Sequence, residues 1–335
     1  LYYDLPCFLI KIIKRGKDKP NSYLYFFLWQ IFIYFRYKDF IISNKFDFIH
    51  HVTFGSFRIP SLLSLCKVPF IYGPIGGGES VPIQILKKFS IKSLFIELIR
   101  VLSNSYIKFS LLANVSFFKS KKIILTSYTN KKIIPSFYHK KISIVPGVFN
   151  EKIFYKIKKN KNFRLCFIGR LVEWKGVELL KQIFLKAKAF NNKITLDIYG
   201  DGPRRKSFQN FIINNDLKNK IKLCGQMDQN KMIKVLKKYD LLIFPTLRDS
   251  GGYVIIEALN NGLNVITTNA AGPEALIKNC DIGLVNIYNN TFDQIVGQFY
   301  KKIKFYYNDQ NKKIYSYELN KLLTSKNKIN SIYNL

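Results

Sequence analysis

From about residue 160, the chain alternates between short apolar runs and longer segments whose apolar residues recur at helical spacing. This alternation is typical of βαβ units, in which parallel strands form one sheet covered by helices. We predict strands at 164–168, 195–199, 221–224, 240–244 and 264–268. Between them we predict helices at about 176–190, 203–214, 229–238 and 252–261. Asp228 is a suitable N-cap for the third of these helices. The second half of the chain is therefore predicted to form a Rossmann-like domain.

The first half repeats this pattern less completely. Strand-like runs occur at 46–50, 69–73, 122–126 and 142–145, and long helical segments are predicted at 21–38 and 81–118. A doubly wound sheet usually opens with a strand that leads into a glycine-rich loop, and no such unit precedes residue 46. We therefore expect an α/β protein with two Rossmann-like doubly wound domains, of which the first looks truncated.

Length and composition agree with a globular protein of about two domains. The chain has 335 residues, of which 48% are hydrophobic and 22% charged, and this excludes a disordered chain. A Pro146-Gly147 turn and the polar, Lys-rich stretch 151–162 predict the domain boundary. We expect a first domain over 1–150, a second over 151–310 and a helical segment over 311–335, whose packing against the first domain is left open.

The net charge is +33, from 54 Lys plus Arg against 21 Asp plus Glu. Residues with A/T-rich codons crowd the sequence, so genome composition explains part of the Lys excess. Proteins that read nucleic-acid bases rely on Arg, whereas a lysine-rich surface suits an anionic membrane. We therefore expect no nucleic-acid partner and keep a membrane surface as a candidate partner.

The five cysteines stand far apart, without a C-x-x-C pair or a nearby histidine. This spacing indicates neither a zinc site nor a disulfide framework, and it favours a reducing compartment. The longest uncharged apolar stretch in the first third, 23–35, is too short to span a bilayer. We predict no transmembrane helix.

The loop after the first strand of the second domain carries Gly169 and Arg170, followed by Lys175 just before a helix. Two cations beside a helix N-terminus suit a diphosphate, because fixed charges add to free backbone N–H groups. The alternative is that both side chains are solvated loop charges in a lysine-rich protein. From these residues alone, both interpretations stay open.

Two further loops also follow predicted strands. Gly200 opens a Gly-Asp-Gly-Pro turn, and Asp249-Ser-Gly251-Gly252-Tyr253 leads into a helix whose backbone N–H groups suit a phosphate or a sugar. Glu257 lies within that helix among apolar neighbours. A buried carboxylate needs hydrogen-bond donors, which ribose hydroxyls would supply. The alternative is an exposed helical glutamate.

Two features of the first half are also candidates for a site. His50 and His51 are adjacent at the end of a predicted strand, and a lone histidine is more often structural than catalytic. Gly76, Gly77 and Gly78 form a triple glycine followed by Glu79, either a loop that approaches a ligand or a bare flexible turn. We favour a catalytic role for the histidine pair, which comprises two of only three histidines, and the ligand-binding alternative for the glycine loop.

Taken together, these motifs resemble the C-terminal half of family 4 glycosyltransferases. The series comprises Gly-Arg, Lys-Gly, Gly-Asp-Gly-Pro, an acid eight residues before Glu257, and Gly-Pro-Glu at 272–274. Residues 50–54 and 73–79 resemble a branch of that family that carries Asp-Ser-Gly-Gly in place of the commoner Gly-Phe-Gly loop. The resemblance covers most of 46–285. It implies the GT-B fold, in which two Rossmann-like domains face each other across a cleft, and a retaining reaction that uses a sugar nucleotide.

The resemblance also implies roles for individual residues. Arg170 and Lys175 would bind the donor diphosphate, Glu257 would hold the ribose, and Asp249 would contact donor-sugar hydroxyls. Either His50 or His51 would lie near the transferred sugar. The backbone at Gly169, Gly200 and 251–253 would touch the donor, and the loop 76–79 would approach the acceptor or the phosphate.

We therefore expect a metal-independent hexosyltransferase with no cofactor other than its nucleoside-diphosphate sugar. Its partners would be a saccharide or a lipid-linked saccharide acceptor and an anionic membrane surface. The expected setting is bacterial cell-surface polysaccharide or lipopolysaccharide synthesis, in the cytoplasm or on the inner face of the membrane. Trp29, Phe32 and Tyr34 on an N-terminal helix are candidates for that contact, with ordinary packing as the alternative. A degenerate GT-B binding protein and a nucleic-acid-binding protein are the competing interpretations.

Overall fold

The computed structural model of the chain describes residues 4–14, 22–52, 55–145, 163–277, 283–309 and 332–333. The chain divides into two compact units. Of the described residues, the first unit contains those up to Gly78 and Arg100–Val145, and the second contains Glu79–Ile99 and those from Phe163 to Tyr333. The predicted boundary at 146–162 lies outside the described residues, and so does the predicted C-terminal helical segment 311–335 except for residues 332–333.

The first unit contains a four-stranded parallel sheet in the order β1-β2-β3-β4. Its strands are β1 Ile49–His51, β2 Phe70–Ile75, β3 Ser120–Leu125 and β4 Ile142–Ile144. The four predicted strands are confirmed, with ends shifted by up to three residues. Fully buried aromatic side chains, among them Phe70, Tyr72 and Phe117, pack against this sheet and form the core of the unit.

The helices of the first half are α1 Cys7–Lys14, α2 Ser22–Ser43, α3 Ile83–Leu86, α4 Ile91–Ile107, α5 Leu111–Lys119 and α6 Tyr128–Lys131. The prediction of one helical segment over 81–118 is wrong, because turns separate α3, α4 and α5. The last of these breaks has a clear cause. Ser110 is an N-cap whose side chain accepts a hydrogen bond from the backbone N–H of Ala113, so a new helix starts there.

The second unit contains a six-stranded parallel sheet in the order β7-β6-β5-β8-β9-β10. Its strands are β5 Arg164–Ile168, β6 Thr195–Tyr199, β7 Ile221–Gly225, β8 Leu241–Phe244, β9 Asn264–Thr268 and β10 Leu284–Val285. This is the Rossmann strand order, and the direction of winding reverses between β5 and β8. The predicted Rossmann-like domain is confirmed. The two-residue strand β10 was missed because it is too short to show a pattern.

Among the described residues in the second half of the chain, the first four α-helices match the four predicted segments, and two further α-helices follow them. These helices are α7 Val177–Phe190, α8 Arg205–Asn214, α9 Gln229–Leu236, α10 Tyr253–Asn260, α11 Gly272–Ile277 and α12 Phe292–Asn308. The predicted N-cap is confirmed, because the Asp228 carboxylate accepts a hydrogen bond from Asn230 N at 2.9 Å. All four residues of β8 are buried, as expected for a parallel strand with helices on both faces of its sheet.

The two units do not correspond to a single cut of the chain near residue 150. The segment Glu79–Ile99 packs with the second unit, although it precedes that position in the sequence. Val81 and Ile85 are buried in the core of that unit. Ser90 N donates a hydrogen bond of 2.9 Å to Glu173 Oε1.

Among the described residues, no helix combines the length and the apolarity needed to cross a bilayer.

The loops after β5 and β6 lie so close together that Gly200 has no space for a side chain. Its φ is +127°, and a Cβ added there would lie 2.1 Å from the carbonyl oxygen of Gly169. We predict that Gly200→Ala lowers the free energy of unfolding by about 1 to 3 kcal/mol, measured by urea titration. The matched control is Gly297→Ala within α12, where a Cβ has nothing within 4 Å. That change should raise stability by up to about 1 kcal/mol, and equal effects of the two substitutions would contradict the prediction.

Candidate functional site

The candidate site lies in the second unit, at the carboxyl ends of its parallel strands. The loops 169–176, 200–204 and 245–252 follow β5, β6 and β8, which are neighbours in the sheet. In an open α/β sheet, ligands bind at this edge, in the crevice where the winding reverses. That crevice falls between β5 and β8, so the structure brings the three predicted donor loops to one edge.

Gly169 and Gly200 form part of the backbone wall of this edge. Gly169 N donates a hydrogen bond of 2.9 Å to Tyr199 O, which joins the ends of β5 and β6. The exposed side chain of Arg170 lines a cavity of about 540 Å³, together with Gln226 and residues 200–203. A guanidinium over a glycine-rich wall is suited to an anionic ligand, because fixed positive charge and close backbone approach occur together.

Lys175 and Asp249, which the resemblance assigns to different parts of a donor, form an ion pair between Nζ and Oδ2. The same Nζ lies 5.0 Å from the ring centroid of Phe244, at the end of β8. The other carboxylate oxygen, Oδ1, accepts hydrogen bonds from Gly251 N at 3.1 Å and Gly252 N at 3.2 Å. Asp249 therefore fixes both the ammonium group and the glycine loop.

The glycine loop ends at the first residue of α10. Gly252 has a φ of +66°, and a Cβ there would lie 2.9 Å from Leu276 Cδ1. Tyr253 begins the helix with 62% of its surface exposed. Gly272 N, at the start of α11, donates a hydrogen bond of 2.8 Å to Asp249 O and so joins this helix to the glycine loop.

Glu257 lies in the second turn of α10 and is half-buried. Its Oε1 accepts a hydrogen bond of 2.7 Å from Nε2 of Gln229, the first residue of α9. The apolar neighbours Ile255 and Ile256 are buried in the core. The carboxylate is therefore neither deeply buried nor fully exposed, and a side-chain amide positions it.

Several polar residues of the site were missed by the sequence analysis. Glu97 Oε1 accepts hydrogen bonds from Arg248, which also lies over the ring of Trp174. Glu173 is buried and forms an ion pair with Arg204. Arg248 precedes the predicted Asp249, but Glu97 lies 151 residues earlier in the chain, so no local pattern reveals the pair.

In the first unit, the structure distinguishes the two adjacent histidines of β1. His50 is half-buried, and its Nε2 donates a hydrogen bond of 2.6 Å to Gly73 O. His51 is 8% exposed and contacts the rings of Phe26 and Tyr72 edge-on, with centroids 6.1 and 5.3 Å away. Burial lowers the pKa of His50 below its usual 6.5, against the opposing effect of its hydrogen bond.

The triple glycine is held by side chains and is not a bare turn. Gly77 O accepts hydrogen bonds from Arg58 Nη1 and Arg100 Nη2, both at 2.7 Å. Gly76 N donates a hydrogen bond of 2.6 Å to Gly55 O. Two guanidinium groups on one carbonyl oxygen therefore restrain this loop.

The end of this loop is equally constrained. Gly78 N donates to Asn130 Oδ1 at 3.0 Å, and its carbonyl oxygen accepts from Asn104 Nδ2 at 2.9 Å. Glu79, grouped with the second unit, is 3% exposed.

Burial, with smaller effects of the Glu274 and Glu79 charges, raises the pKa of the Tyr288 hydroxyl to about 12. Within the described residues, no group of three or more His, Cys, Asp or Glu side chains is arranged to hold a metal ion.

The lowered pKa of His50 predicts how stability depends on pH. The unfolded chain takes up a proton near pH 6.5, whereas the folded protein takes it up only at lower pH. The free energy of unfolding should therefore fall as the pH drops below about 6.5. His50→Gln, whose amide retains a donor for Gly73 O, should flatten this slope in urea titrations between pH 5 and 7.5. An unchanged slope in the variant would contradict the assignment.

The comparisons with known proteins agree with this geometry. Residues 149–314 match the family model described as glycosyl transferases group 1. The GPI3 subunit of phosphatidylinositol N-acetylglucosaminyltransferase from Saccharomyces cerevisiae is 32% identical over 113 residues, which are 33% of this chain and 25% of that protein.

Two solved structures share the fold. A lipopolysaccharide outer core galactosyltransferase, WaaB, aligns with a TM-score of 0.61 and 14% identity over 92% of this chain and 81% of its own. The pneumococcal O-GlcNAc transferase GtfA, solved in complex with UDP and GlcNAc, aligns with a TM-score of 0.55 and 19% identity over 66% and 46%. The matches thus span a quarter of the yeast subunit and about half of GtfA. Residues 149–314 of the chain thus match the group 1 glycosyltransferases, and the chain has the GT-B fold of these solved structures.

Proposed function

We propose that this protein transfers a hexose-type sugar from a nucleoside diphosphate to an acceptor hydroxyl, with retention at the anomeric carbon. The observation that carries the proposal is the set of groups at the carboxyl ends of β5 and its neighbours in the sheet. There, Arg170 lines a cavity, Lys175 is fixed by Asp249, and the glycine loop leads into α10. Fixed cations and backbone N–H groups are what a diphosphate leaving group requires.

The charges of the site support this assignment of roles. Arg170 and Lys175 would stabilise the negative charge that develops on the departing diphosphate, and such preorganised electrostatic stabilisation is usually the largest catalytic effect. Asp249 would act by holding the Lys175 ammonium and the N–H groups of residues 251 and 252, beside the donor sugar. Glu257, positioned by Gln229, would accept hydrogen bonds from ribose hydroxyls.

The reaction we propose needs no metal and no dedicated protein base. The bond between the anomeric carbon and the diphosphate oxygen breaks, and the acceptor oxygen forms a new bond on the same face through an oxocarbenium-like state. The proton of the acceptor hydroxyl passes to the leaving phosphate. We assign the family histidine to His50, because His51 packs among aromatic rings. The held loop 76–78 is our candidate for acceptor or phosphate contact.

The neighbours suggest the setting. WaaB is named as a lipopolysaccharide outer core galactosyltransferase, and the yeast relative as a phosphatidylinositol N-acetylglucosaminyltransferase subunit. Both names describe glycolipid synthesis. We therefore propose that this chain acts in bacterial cell-surface polysaccharide or lipopolysaccharide synthesis, on a saccharide or lipid-linked acceptor, at the inner face of the membrane.

The helix α4 supports contact with a membrane surface. In the first half of this helix, a charged side chain is buried and apolar side chains face outward. Glu97 is 2% exposed, whereas the exposed fractions are 88% for Ile91, 62% for Phe95 and 54% for Leu98. These three residues are spaced four and three apart and share one helix face. By contrast, all three aromatic residues predicted for that contact, on α2, are half-buried: Trp29, Phe32 and Tyr34.

The charge beside this face indicates which surface would cover it. Lys92 in the first turn of α4 is exposed, and so are Lys87 and Lys88 in the turn before the helix. An amphipathic helix with lysines beside apolar and aromatic side chains binds in the interface of an anionic bilayer. We propose that the α4 face rests on anionic lipid while the donor site remains in water.

Turnover of a donor panel tests the proposed reaction. Incubation without metal, with UDP-, GDP- and ADP-sugars, should release one nucleoside diphosphate selectively. Arg170→Ala and Glu257→Ala should each lower the rate about 100-fold, because each removes a group that would contact the donor. Turnover is measured as free nucleoside diphosphate by chromatography.

The controls separate loss of the site from loss of charge. Lys186→Ala on α7 and Asp293→Ala on α12 remove exposed charges of the same signs and should leave turnover unchanged. Folded protein that binds donors without turning them over would support the degenerate binding protein instead. Salt-dependent affinity for DNA or RNA, with no donor binding, would support the nucleic-acid alternative.

Vesicle sedimentation tests the lipid surface. The protein should bind vesicles of anionic phosphatidylglycerol more tightly than neutral phosphatidylcholine. Phe95→Ser combined with Leu98→Ser should weaken binding at least about tenfold, because two apolar side chains no longer enter the interface. Ile213→Ser, at a residue of α8 that is 51% exposed, is the matched control. Unchanged vesicle binding, or self-association abolished by the same double substitution, would show that lipid does not cover this face.

A further inference from the structure

Two polar contacts join the segment Glu79–Ile99 to loops of the candidate site. Ser90 N donates to Glu173 Oε1 at 2.9 Å, in the turn after β5. Glu97 Oε1 accepts from both Nε and Nη2 of Arg248 at 2.8 Å, in the loop after β8. One segment, remote in sequence, is therefore bonded to both loops that flank the proposed donor position.

The Arg248 side chain is enclosed on two sides. Its Cζ lies 4.5 Å from the ring centroid of Trp174, and the carboxylate of Glu97 lies at its Nε edge. The Arg248 side chain is 13% exposed and that of Glu97 is 2% exposed. Loss of an acidic partner makes a buried guanidinium costly, and this favours a movement of its loop towards water.

Hydrogen bonds to one backbone carbonyl group join the loop after β8 to the loop after β5. Leu247 N donates to Trp174 O at 2.8 Å. The hydroxyl of Thr246 lies 3.3 Å from that same carbonyl oxygen and 3.0 Å from Arg248 O. A displacement of Arg248 is thereby passed to Trp174, which is adjacent to Lys175, and to Asp249 in its own loop.

We propose that Glu97 is a positioning residue for the donor loops. It holds Arg248 against Trp174, and this clamp sets the geometry of the Lys175–Asp249 pair. Glu97 itself does not touch the donor in this proposal. The inference rests on the proposed function for what the loops bind, while the clamp of Glu97, Arg248 and Trp174 is tested separately.

Tryptophan fluorescence provides a test that needs no activity. The chain has two tryptophans, so Trp29→Phe leaves Trp174 as the only one. In that background, Glu97→Gln should shift the Trp174 emission to longer wavelength and increase its quenching by acrylamide, since Arg248 no longer covers the ring. The matched control is Asp197→Asn, which removes the acid from another ion pair of this unit, with Arg164 at 3.2 Å. It should change neither signal.

Kinetics then test the positioning role. Glu97→Gln should lower kcat/KM for the donor about 10- to 100-fold and leave KM for the acceptor unchanged, because only the donor groups lose alignment. Glu97→Asp, which keeps the charge, should recover part of the rate. Arg248→Lys should match the loss of Glu97→Gln, since a lysine lacks the planar fork, and the double variant should be no worse than either single one.

The outcomes are distinct. Trp174 quenching and donor turnover that are both unchanged by Glu97→Gln, in protein with the wild-type melting temperature, would overturn the inference. Additive losses in the double variant would overturn it as well. If the wild-type protein turns over no donor at all, the proposed function fails, and the clamp is then decided by Trp174 quenching alone. If Glu97→Gln does not fold, Glu97→Asp and Arg248→Lys are used for the same measurements.

Discussion

The parallel pairing of β5 with β8 is the constraint on which the candidate site depends. Leu165 lies opposite Leu241 in this register, although the two residues are far apart in the chain. The pairing reverses the direction of winding and leaves a crevice at the carboxyl ends of the two strands. The loops that begin at Gly169 and Pro245 therefore lie side by side, and every proposed donor group belongs to them or to their immediate neighbours. Burial of the sheet on both faces stabilises this arrangement.

Once the loops are adjacent, partly buried ion pairs fix their details. Asp249 binds Lys175 across the crevice and caps the glycine loop with its other oxygen. Arg248, the preceding residue, faces Glu97 and the ring of Trp174. Such pairs add little net stability when the cost of desolvating both charges is included, but loss of one partner is costly. Their effect here is geometric, because each pair permits one loop conformation and disfavours the others.

The predictions of strands and helices are confirmed where interactions between residues close in the chain determine the structure. The strands of the second unit are continuous apolar runs between helical segments, and the N-cap at Asp228 acts within two residues. Prediction failed where the signal was short or distant. The two residues of β10 carry no period, and the break before α5 depends on the single hydroxyl of Ser110. In the sequence, Glu97 is a single charged residue within an apolar helical segment. Nothing near it indicates a partner, because Arg248 is 151 residues away. The roles of the site residues remain predictions.

By itself, the sequence determined the α/β class, the Rossmann strands of the second unit and the motif series that indicates a glycosyltransferase. These follow from periodicity, turn chemistry and residue order, which act over short distances along the chain. Only the tertiary structure decided that Lys175 and Asp249 form one pair, that His51 is a core residue while His50 is half-buried, and that α4 turns an apolar face outward. Burial and long-range pairing depend on which surfaces meet after folding, and no local pattern in the chain encodes which surfaces those are.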